Sequence, residues 1–107
     1  MENALYGIAN YKILETGDIG NGQYTNTESL GESGYITATE TVNKISISGS
    51  IDGSYKTNFE HKEGCDLVVS ANEDGFTFVW SIGEKQIYHG IGMRINNGYV
   101  SVAYTYV

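Results

Sequence analysis

The chain has no proline, one cysteine and six basic residues, and each shortage excludes a class of structure or partner. The single cysteine, Cys65, cannot form an internal disulfide, so packing must hold the fold together. Without proline, sheet edges must be protected by charge, by bulges, by a partner or by closure into a barrel. No segment approaches the roughly 20 apolar residues of a membrane-spanning helix, which excludes such a helix.

Acidic residues outnumber basic ones, 13 against six, and the formal net charge is −7. Such a surface repels nucleic-acid phosphates and anionic lipid head groups, so we expect neither nucleic acid nor a membrane as a partner. The acids are spread singly rather than in runs. This pattern favours solubility as the role of the charge, with docking on a basic protein as the alternative.

The length of 107 residues predicts one domain, 1–107, with a single hydrophobic core. The first residues lack the basic region and the long apolar stretch that are typical of an export signal. We therefore expect a cytoplasmic protein, and a trimmed form of an exported protein stays open as the alternative.

Aromatic residues and glycines are plentiful: nine Tyr, three Phe, one Trp and 14 Gly. From residue 66 to the end, the sequence predicts four strands separated by turns that contain glycine. The strongest of these strands has apolar side chains at every second position, which places them on one face: Phe76, Phe78, Trp80 and Ile82. No segment shows convincing helical periodicity.

The same alternation assigns faces elsewhere in the chain. Between residues 85 and 95, one face holds Ile87, His89, Ile91, Met93 and Ile95, and the other holds Tyr88, Gly90, Gly92 and Arg94. In the last strand, Val100, Val102, Tyr104 and Tyr106 share a face. Between residues 44 and 48, Ile45 and Ile47 are predicted to face inward and Lys44 to face water. The three glycines between residues 16 and 22 predict a loop there.

Eight or nine short strands, each followed by a turn, indicate an all-β protein. We predict a single small antiparallel up-and-down β-barrel, calycin-like in form, with a compact β-sandwich as the alternative. Gly90 and Gly92 favour the barrel, because a strand without side chains can bend sharply or let another element lie close.

The final third resembles a β-meander of small bacterial proteins that are often labelled fibronectin-binding. The resemblance lies in residues 75–104, in an aromatic strand that ends in Trp80, a turn at Gly83, the run Tyr88-His89-Gly90-Ile91-Gly92 and a closing strand from Tyr99. It implies a shared architecture rather than a shared chemistry, and it carries no functional residue over to this chain. Those proteins are usually exported, whereas this sequence begins without an export signal.

No combination of residues predicts catalysis or metal binding. His61, Cys65 and His89 are too few and too scattered for a tetrahedral zinc site, and no third group marks Cys65 as a nucleophile. Paired acids such as Glu73 and Asp74 lie at turns, where carboxylates usually cap amides or face solvent. We therefore expect no enzyme activity, no catalytic residue, no metal and no cofactor.

The sequence favours a non-enzymatic binding module that takes a small apolar or amphipathic ligand in a barrel. The predicted ligand-binding residues are Phe78, Trp80, Tyr88 and Tyr104 as walls and Arg94 as a polar anchor. The alternative is a protein-interaction module that binds through an acidic, tyrosine-rich surface or an exposed edge strand. Its partner would be a second copy of the chain or a basic protein that it inhibits.

Overall fold

The computed structural model describes residues 5–45, 49–60, 62–96 and 98–107, which form ten strands. The strands are β1 (Tyr6–Ile13), β2 (Ile19–Asn26), β3 (Leu30–Gly31), β4 (Gly34–Tyr35), β5 (Ala38–Lys44), β6 (Gly53–Phe59), β7 (Lys62–Ala71), β8 (Phe76–Ile82), β9 (Lys85–Arg94) and β10 (Tyr99–Tyr106). Among the described residues, no helix is long and apolar enough to cross a bilayer.

Eight of the strands form a closed antiparallel barrel in the order β1-β10-β9-β8-β7-β6-β5-β2. Each strand pairs with its neighbours along the chain, and pairing between β10 and β1 closes the ring. The short strands β3 and β4 form a separate hairpin between β2 and β5. The all-β class and the up-and-down barrel are therefore confirmed, and the sandwich alternative is wrong.

Large rings fill the barrel interior, and glycines on the neighbouring strands make room for them. A Cβ atom placed on Gly92 would lie 3.0 Å from Cε1 of Phe78, and one on Gly7 would lie 2.6 Å from Cζ of Tyr104. A side chain at Gly7 would therefore require Tyr104 to move, and one at Gly92 would press against Phe78.

The loop predicted for residues 16–22 is shorter than expected, because β2 already begins at Ile19. Ile19 is buried in the core, and Gly22 pairs with Tyr11 on β1. A Cβ atom on Gly22 would lie 2.6 Å from Cδ1 of Tyr11, so the glycine lets the tyrosine ring lie against the β2 backbone. Glycine here serves close packing in a strand rather than a turn.

The predicted faces of β5 are reversed in the structure. Val42 is buried and Ile45 is 60% exposed, whereas the side chain of Lys44 is only 4% exposed. Ile47 lies outside the described residues. Lys44 faces inward because its Nζ lies 2.9 Å from Oδ1 of Asp18 and donates to the carbonyl oxygens of Ser50 and Asp52. A buried ion pair, rather than the apolar residues at the strand end, thus determines the phase of β5.

Two of the predicted inward faces end earlier than expected. The pairing of β8 with β9 shifts by one residue after Trp80, and Ile82 beyond that bulge is 50% exposed. On β10, Tyr104 is buried but Tyr106 is exposed at the end of the strand. The extra residue of this bulge is Ile87 on β9, so Ile82 keeps its phase and is exposed because it ends β8, as Tyr106 is exposed because it ends β10.

The two ends of the barrel differ in chemistry. The connections after β1, β5, β7 and β9 lie at one end, which we call the ion-pair end because Asp18 and Lys44 meet there. Tyr55 completes that closure, since its ring lies under Lys44 Nζ and its hydroxyl donates to the Ile51 carbonyl oxygen. The opposite end is built mainly from aromatic side chains and contains the candidate site.

Candidate functional site

A buried carboxylate, Glu40, lies near the aromatic end of the barrel. Glu40 is the third residue of β5, and its side chain is 1% exposed. The hydroxyl of Tyr11 donates to Oε1 over 2.6 Å, and Nε1 of Trp80 donates to Oε2 over 3.1 Å. Both oxygens therefore accept hydrogen bonds from opposite walls of the barrel, an arrangement that suits the ionised carboxylate.

Burial raises the pKa of Glu40 from its ordinary value of 4.5 to about 7. Removal from water disfavours the charged form, and this effect exceeds the opposing one of the hydrogen bonds from Tyr11, Trp80 and Thr57. Among the side chains that the structure describes, a set that leaves out those of residues 61–63, no lysine, arginine or histidine forms an ion pair with Glu40. Near neutral pH the barrel therefore holds a carboxyl group that readily gains or loses a proton.

We expect Glu40 to make the protein less stable as the pH rises. Between pH 4.5 and about 7 the folded state keeps the Glu40 proton while the unfolded state has released it, so unfolding is favoured by increasing pH. From about pH 5 to about pH 8 the loss should be about 2–3 kcal/mol. Urea denaturation at the two pH values measures this decrease in the free energy of unfolding. In Glu40→Gln, whose amide carbonyl still accepts a hydrogen bond from Trp80, the decrease should be smaller by about 2–3 kcal/mol. An equal loss in both proteins would contradict the assignment.

Aromatic rings surround Glu40 on the side that faces solvent. We call this region the tyrosine mouth, and its lining is Tyr24, Asn26, Glu40, Phe59, Trp80, Tyr88 and Tyr104. The ring of Trp80 lies 5.6 Å from that of Tyr104 and 6.2 Å from that of Tyr88, centroid to centroid. Tyr88 meets the rings of Trp80, Tyr104 and Phe59 nearly edge-on.

The cavity of the tyrosine mouth is small, with a volume of about 10 Å³. That is room for about one water molecule. Below it, Phe78 stacks on Tyr11 at 5.7 Å, and both side chains are fully buried. Below the mouth, the described side chains therefore fill the barrel interior, and the mouth is where a ligand could contact Glu40.

The outermost ring of the mouth is held from outside the barrel. Tyr106 stacks on Tyr88 at 5.4 Å with an angle of 14°, and its hydroxyl donates to Oε1 of Glu28 over 3.2 Å. Deeper in the mouth, Nδ2 of Asn26 donates to the hydroxyl of Tyr104 over 3.1 Å. Tyr104 is thus anchored, whereas Tyr88 is held by ring contacts alone among the contacts that the structure shows.

The phenol groups of the mouth stay neutral near physiological pH. Burial raises the pKa of Tyr88 and of Tyr104 to about 12, and it also raises the pKa of Tyr24 and of Tyr11. Glu40 is therefore the group of the mouth whose charge changes near neutral pH.

The structure brings together three of the five residues that the sequence predicted for the site. Trp80, Tyr88 and Tyr104 meet in the mouth, and Phe78 lies one layer deeper, 5.6 Å from Trp80. Arg94 does not join them. It is exposed on β9, opposite Val100, at the ion-pair end, about 20 Å along the strand from Tyr88. Arg94 therefore cannot anchor a ligand that the three rings contact.

Four residues of the mouth were not predicted from the sequence: Tyr24, Asn26, Glu40 and Phe59. For Glu40 a signal existed, since Ala38, Glu40 and Val42 alternate with polar residues and continue the phase of Lys44. Lys44 was predicted to face water, and that prediction hid the phase. Tyr24 and Phe59 lie on strands that pair with β5, and nothing local indicates that they meet there.

The outside of the barrel bears on the protein-binding alternative. Because the barrel is closed, none of its eight strands has a free edge, and an edge-strand interaction through them is excluded. One outer face remains apolar, with Ile8 on β1 and Ile91 and Met93 on β9 all more than half exposed. That face is one surface of the barrel on which apolar contact with a protein could form.

Of the histidine and cysteine residues considered for metal binding or nucleophilic chemistry, the structure describes Cys65 and His89. His61 lies outside the described residues, and Cys65 is buried on β7. In the part of the chain that the structure describes, no group of three or more His, Cys, Asp or Glu side chains could hold a metal ion.

Comparison of the chain with protein-family models, with curated proteins and with solved structures found no match. The resemblance of residues 75–104 to the meander of fibronectin-binding proteins stays a prediction. What the tyrosine mouth does must accordingly be inferred from its own geometry and chemistry.

Proposed function

We propose that the protein is a non-enzymatic binding module that takes a small amphipathic ligand at the tyrosine mouth. One observation carries the proposal: aromatic rings surround a buried polar group, Glu40, at one end of an otherwise filled barrel. Ligand sites typically combine mostly apolar walls with a few well-placed polar groups. The closed barrel is consistent with this role, since small barrels hold ligands at their mouths.

The filled interior limits the ligand. A cavity of about 10 Å³ does not take a long acyl chain, so the ligand must be small or must insert only one end. Tyr88 and Tyr106 are the rings that would move, because Tyr106 is exposed and Tyr88 is only partly buried. Exposed side chains change rotamer within picoseconds to nanoseconds. Rotation of these two rings would open the mouth while the strands of the barrel stay in place.

Trp80 is the only tryptophan, and its emission therefore reports on the mouth. We expect a saturable change in that emission with at least one member of a panel of short fatty acids, aromatic alcohols and aromatic amines. Tyr88→Ala should weaken the binding about tenfold, because a ring contact worth about 1.4 kcal/mol is lost. The matched control is Tyr99→Ala, an exposed tyrosine outside the mouth, which should leave the affinity unchanged.

The proposal fails if no member of the panel changes the emission, or if the two tyrosine variants weaken binding equally. Light scattering on the same samples tests the protein-interaction alternative. If no ligand changes the emission and the mass exceeds 11.7 kDa and rises with concentration, the protein associates with itself. Self-association through the apolar outer face would then replace ligand binding at the mouth as the proposed function. Ile91→Glu, on that face, should then return the mass to that of one chain.

A further inference from the structure

We infer that the ligand of the tyrosine mouth is an organic cation, an amine or quaternary ammonium group whose charge lies beside Glu40 among the aromatic rings. The inference rests on the proposed function and deepens it by naming the class of ligand. Three features of the mouth support it: the hydrogen bonding of Glu40, the arrangement of the rings and the charge of the surroundings.

Glu40 is arranged to carry a negative charge that no described residue compensates. Tyr11 and Trp80 each donate one hydrogen bond to it, and Trp80 Nε1 can only donate. No described lysine, arginine or histidine forms an ion pair with it. A buried carboxylate without a counter-charge is costly, so a cation in the adjoining cavity gains a strong electrostatic attraction.

The rings beside Glu40 provide a second attraction for positive charge. The ring centroids of Trp80, Tyr88 and Tyr104 lie 5.6 to 6.2 Å from one another. The Tyr88 ring stands nearly perpendicular to the other two, at 86° to Trp80 and 77° to Tyr104. A cation within about 6 Å of a ring centroid is attracted by the negative face of the ring, most strongly by tryptophan. Rings that meet at steep angles can present several faces to one small cation.

The surroundings of the mouth also favour a cation over an anion. Glu28 lies behind Tyr106, and Glu60 accepts a hydrogen bond from the backbone of Thr39 where β5 begins. The formal net charge of the chain is −7. Cations are therefore attracted to this end of the barrel, and anionic ligands such as fatty acids are disfavoured.

Binding of a cation should release a proton from Glu40. The other titratable side chains that face the cavity are the phenols of Tyr11, Tyr24, Tyr88 and Tyr104, whose pKa values are raised above the ordinary value of 10.0. The Cys65 thiol interacts electrostatically with Tyr88, and Glu28 and Glu60 interact with tyrosines of the mouth. Glu40, with its pKa raised to about 7 by burial, is the group that a bound cation converts to its charged form near neutral pH.

Choline and its neutral isostere 3,3-dimethylbutan-1-ol test the inference. Neither probe titrates near neutral pH, so any pH dependence comes from the protein. We expect choline to bind at least about tenfold more tightly than the isostere at about pH 8, and about tenfold more weakly at about pH 5.5, where Glu40 is protonated. Trp80 emission and titration calorimetry measure both affinities.

Glu40→Gln should abolish the preference for choline and its pH dependence. The matched control is Glu84→Gln, an exposed carboxylate in the turn between β8 and β9 at the same end of the barrel, which should keep both. The pH dependence of the unmodified protein tests the inference even if a variant fails to fold. Choline that does not bind, binds no better than its isostere or keeps its preference in Glu40→Gln overturns the inference.

The outcomes separate this inference from the proposed function. If the neutral isostere or a neutral panel member binds and choline is not preferred, the inference that the ligand is a cation is overturned. The proposed function then stays intact. The absence of any response to both probes and to the whole panel overturns the two together.

Discussion

Replacing Trp80 by alanine should lower the free energy of unfolding by about 3–5 kcal/mol, among the largest effects expected for any single substitution in this chain. Trp80 is 1% exposed, and its ring contacts those of Phe78, Tyr88 and Tyr104. The substitution also removes the hydrogen bond to Oε2 of Glu40, which leaves a buried carboxyl oxygen without that donor. Urea denaturation followed by far-ultraviolet circular dichroism measures the loss.

Two further variants of β8 separate the parts of this effect. Ile82→Ala removes an apolar side chain from the same strand at a position that is 50% exposed, and it should change stability by less than about 0.5 kcal/mol. Trp80→Phe keeps a ring but loses the indole N–H, and it should cost about 1–3 kcal/mol. If Trp80→Ala is no more destabilising than Ile82→Ala, the assignment of Trp80 to the core is wrong.

The second large effect concerns the opposite end of the barrel. Lys44→Met should lower the free energy of unfolding by about 3–5 kcal/mol, because Asp18 would keep a buried charge without its partner. The side chains of Lys44 and Asp18 are 4% and 3% exposed, and Nζ lies 2.9 Å from Oδ1. Nζ also donates to the Ser50 and Asp52 carbonyl oxygens, over 2.6 and 2.7 Å, so the connection that leads to β6 would lose its anchor.

The chain contains its own control for this prediction. Lys56 on β6 pairs with Asp66 on β7 at the surface, where both side chains are well exposed. Lys56→Met should therefore cost about 0–1 kcal/mol. Adding Asp18→Asn to Lys44→Met should restore part of the stability, since the uncompensated charge is removed. Equal losses from Lys44→Met and Lys56→Met would show that burial does not strengthen the inner pair.

These two substitutions test the two ends of one barrel, which differ in how they treat a buried charge. At the ion-pair end, Asp18 has a lysine beside it, and the connection after β5 is tied to that lysine. At the tyrosine mouth, the described side chains beside Glu40 are hydrogen-bond donors and aromatic rings. The further inference follows from this difference, because among the side chains that the structure describes no positive charge lies beside Glu40, and a ligand could supply one.

Much of the fold could be predicted from the sequence because the side chains of a strand alternate between two faces. Phe78 and Trp80 were assigned to one face of a strand and Val100, Val102 and Tyr104 to one face of another, and all five are buried. The two faces of β9 were divided correctly, and the structure turns the face with Gly90 and Gly92 inward, where these glycines lie against side chains of the core. Three of the five predicted site residues therefore meet in the mouth, simply because they lie on the inner faces of adjacent strands at the same end.

The sequence by itself determined the class of the protein, the alternation of its last three strands and the aromatic nature of its core, all of which depend on the local geometry of a strand. Only the tertiary structure decided which charges lie inside. A shift of one residue reverses every side chain of a strand, and the apolar Ile45 favoured the phase opposite to the one that the Lys44–Asp18 pair imposes on β5. Glu40 lies in the same phase as Lys44 and therefore points into the barrel. Its partners Tyr11 and Trp80 are distant in the chain and meet it only when the barrel closes.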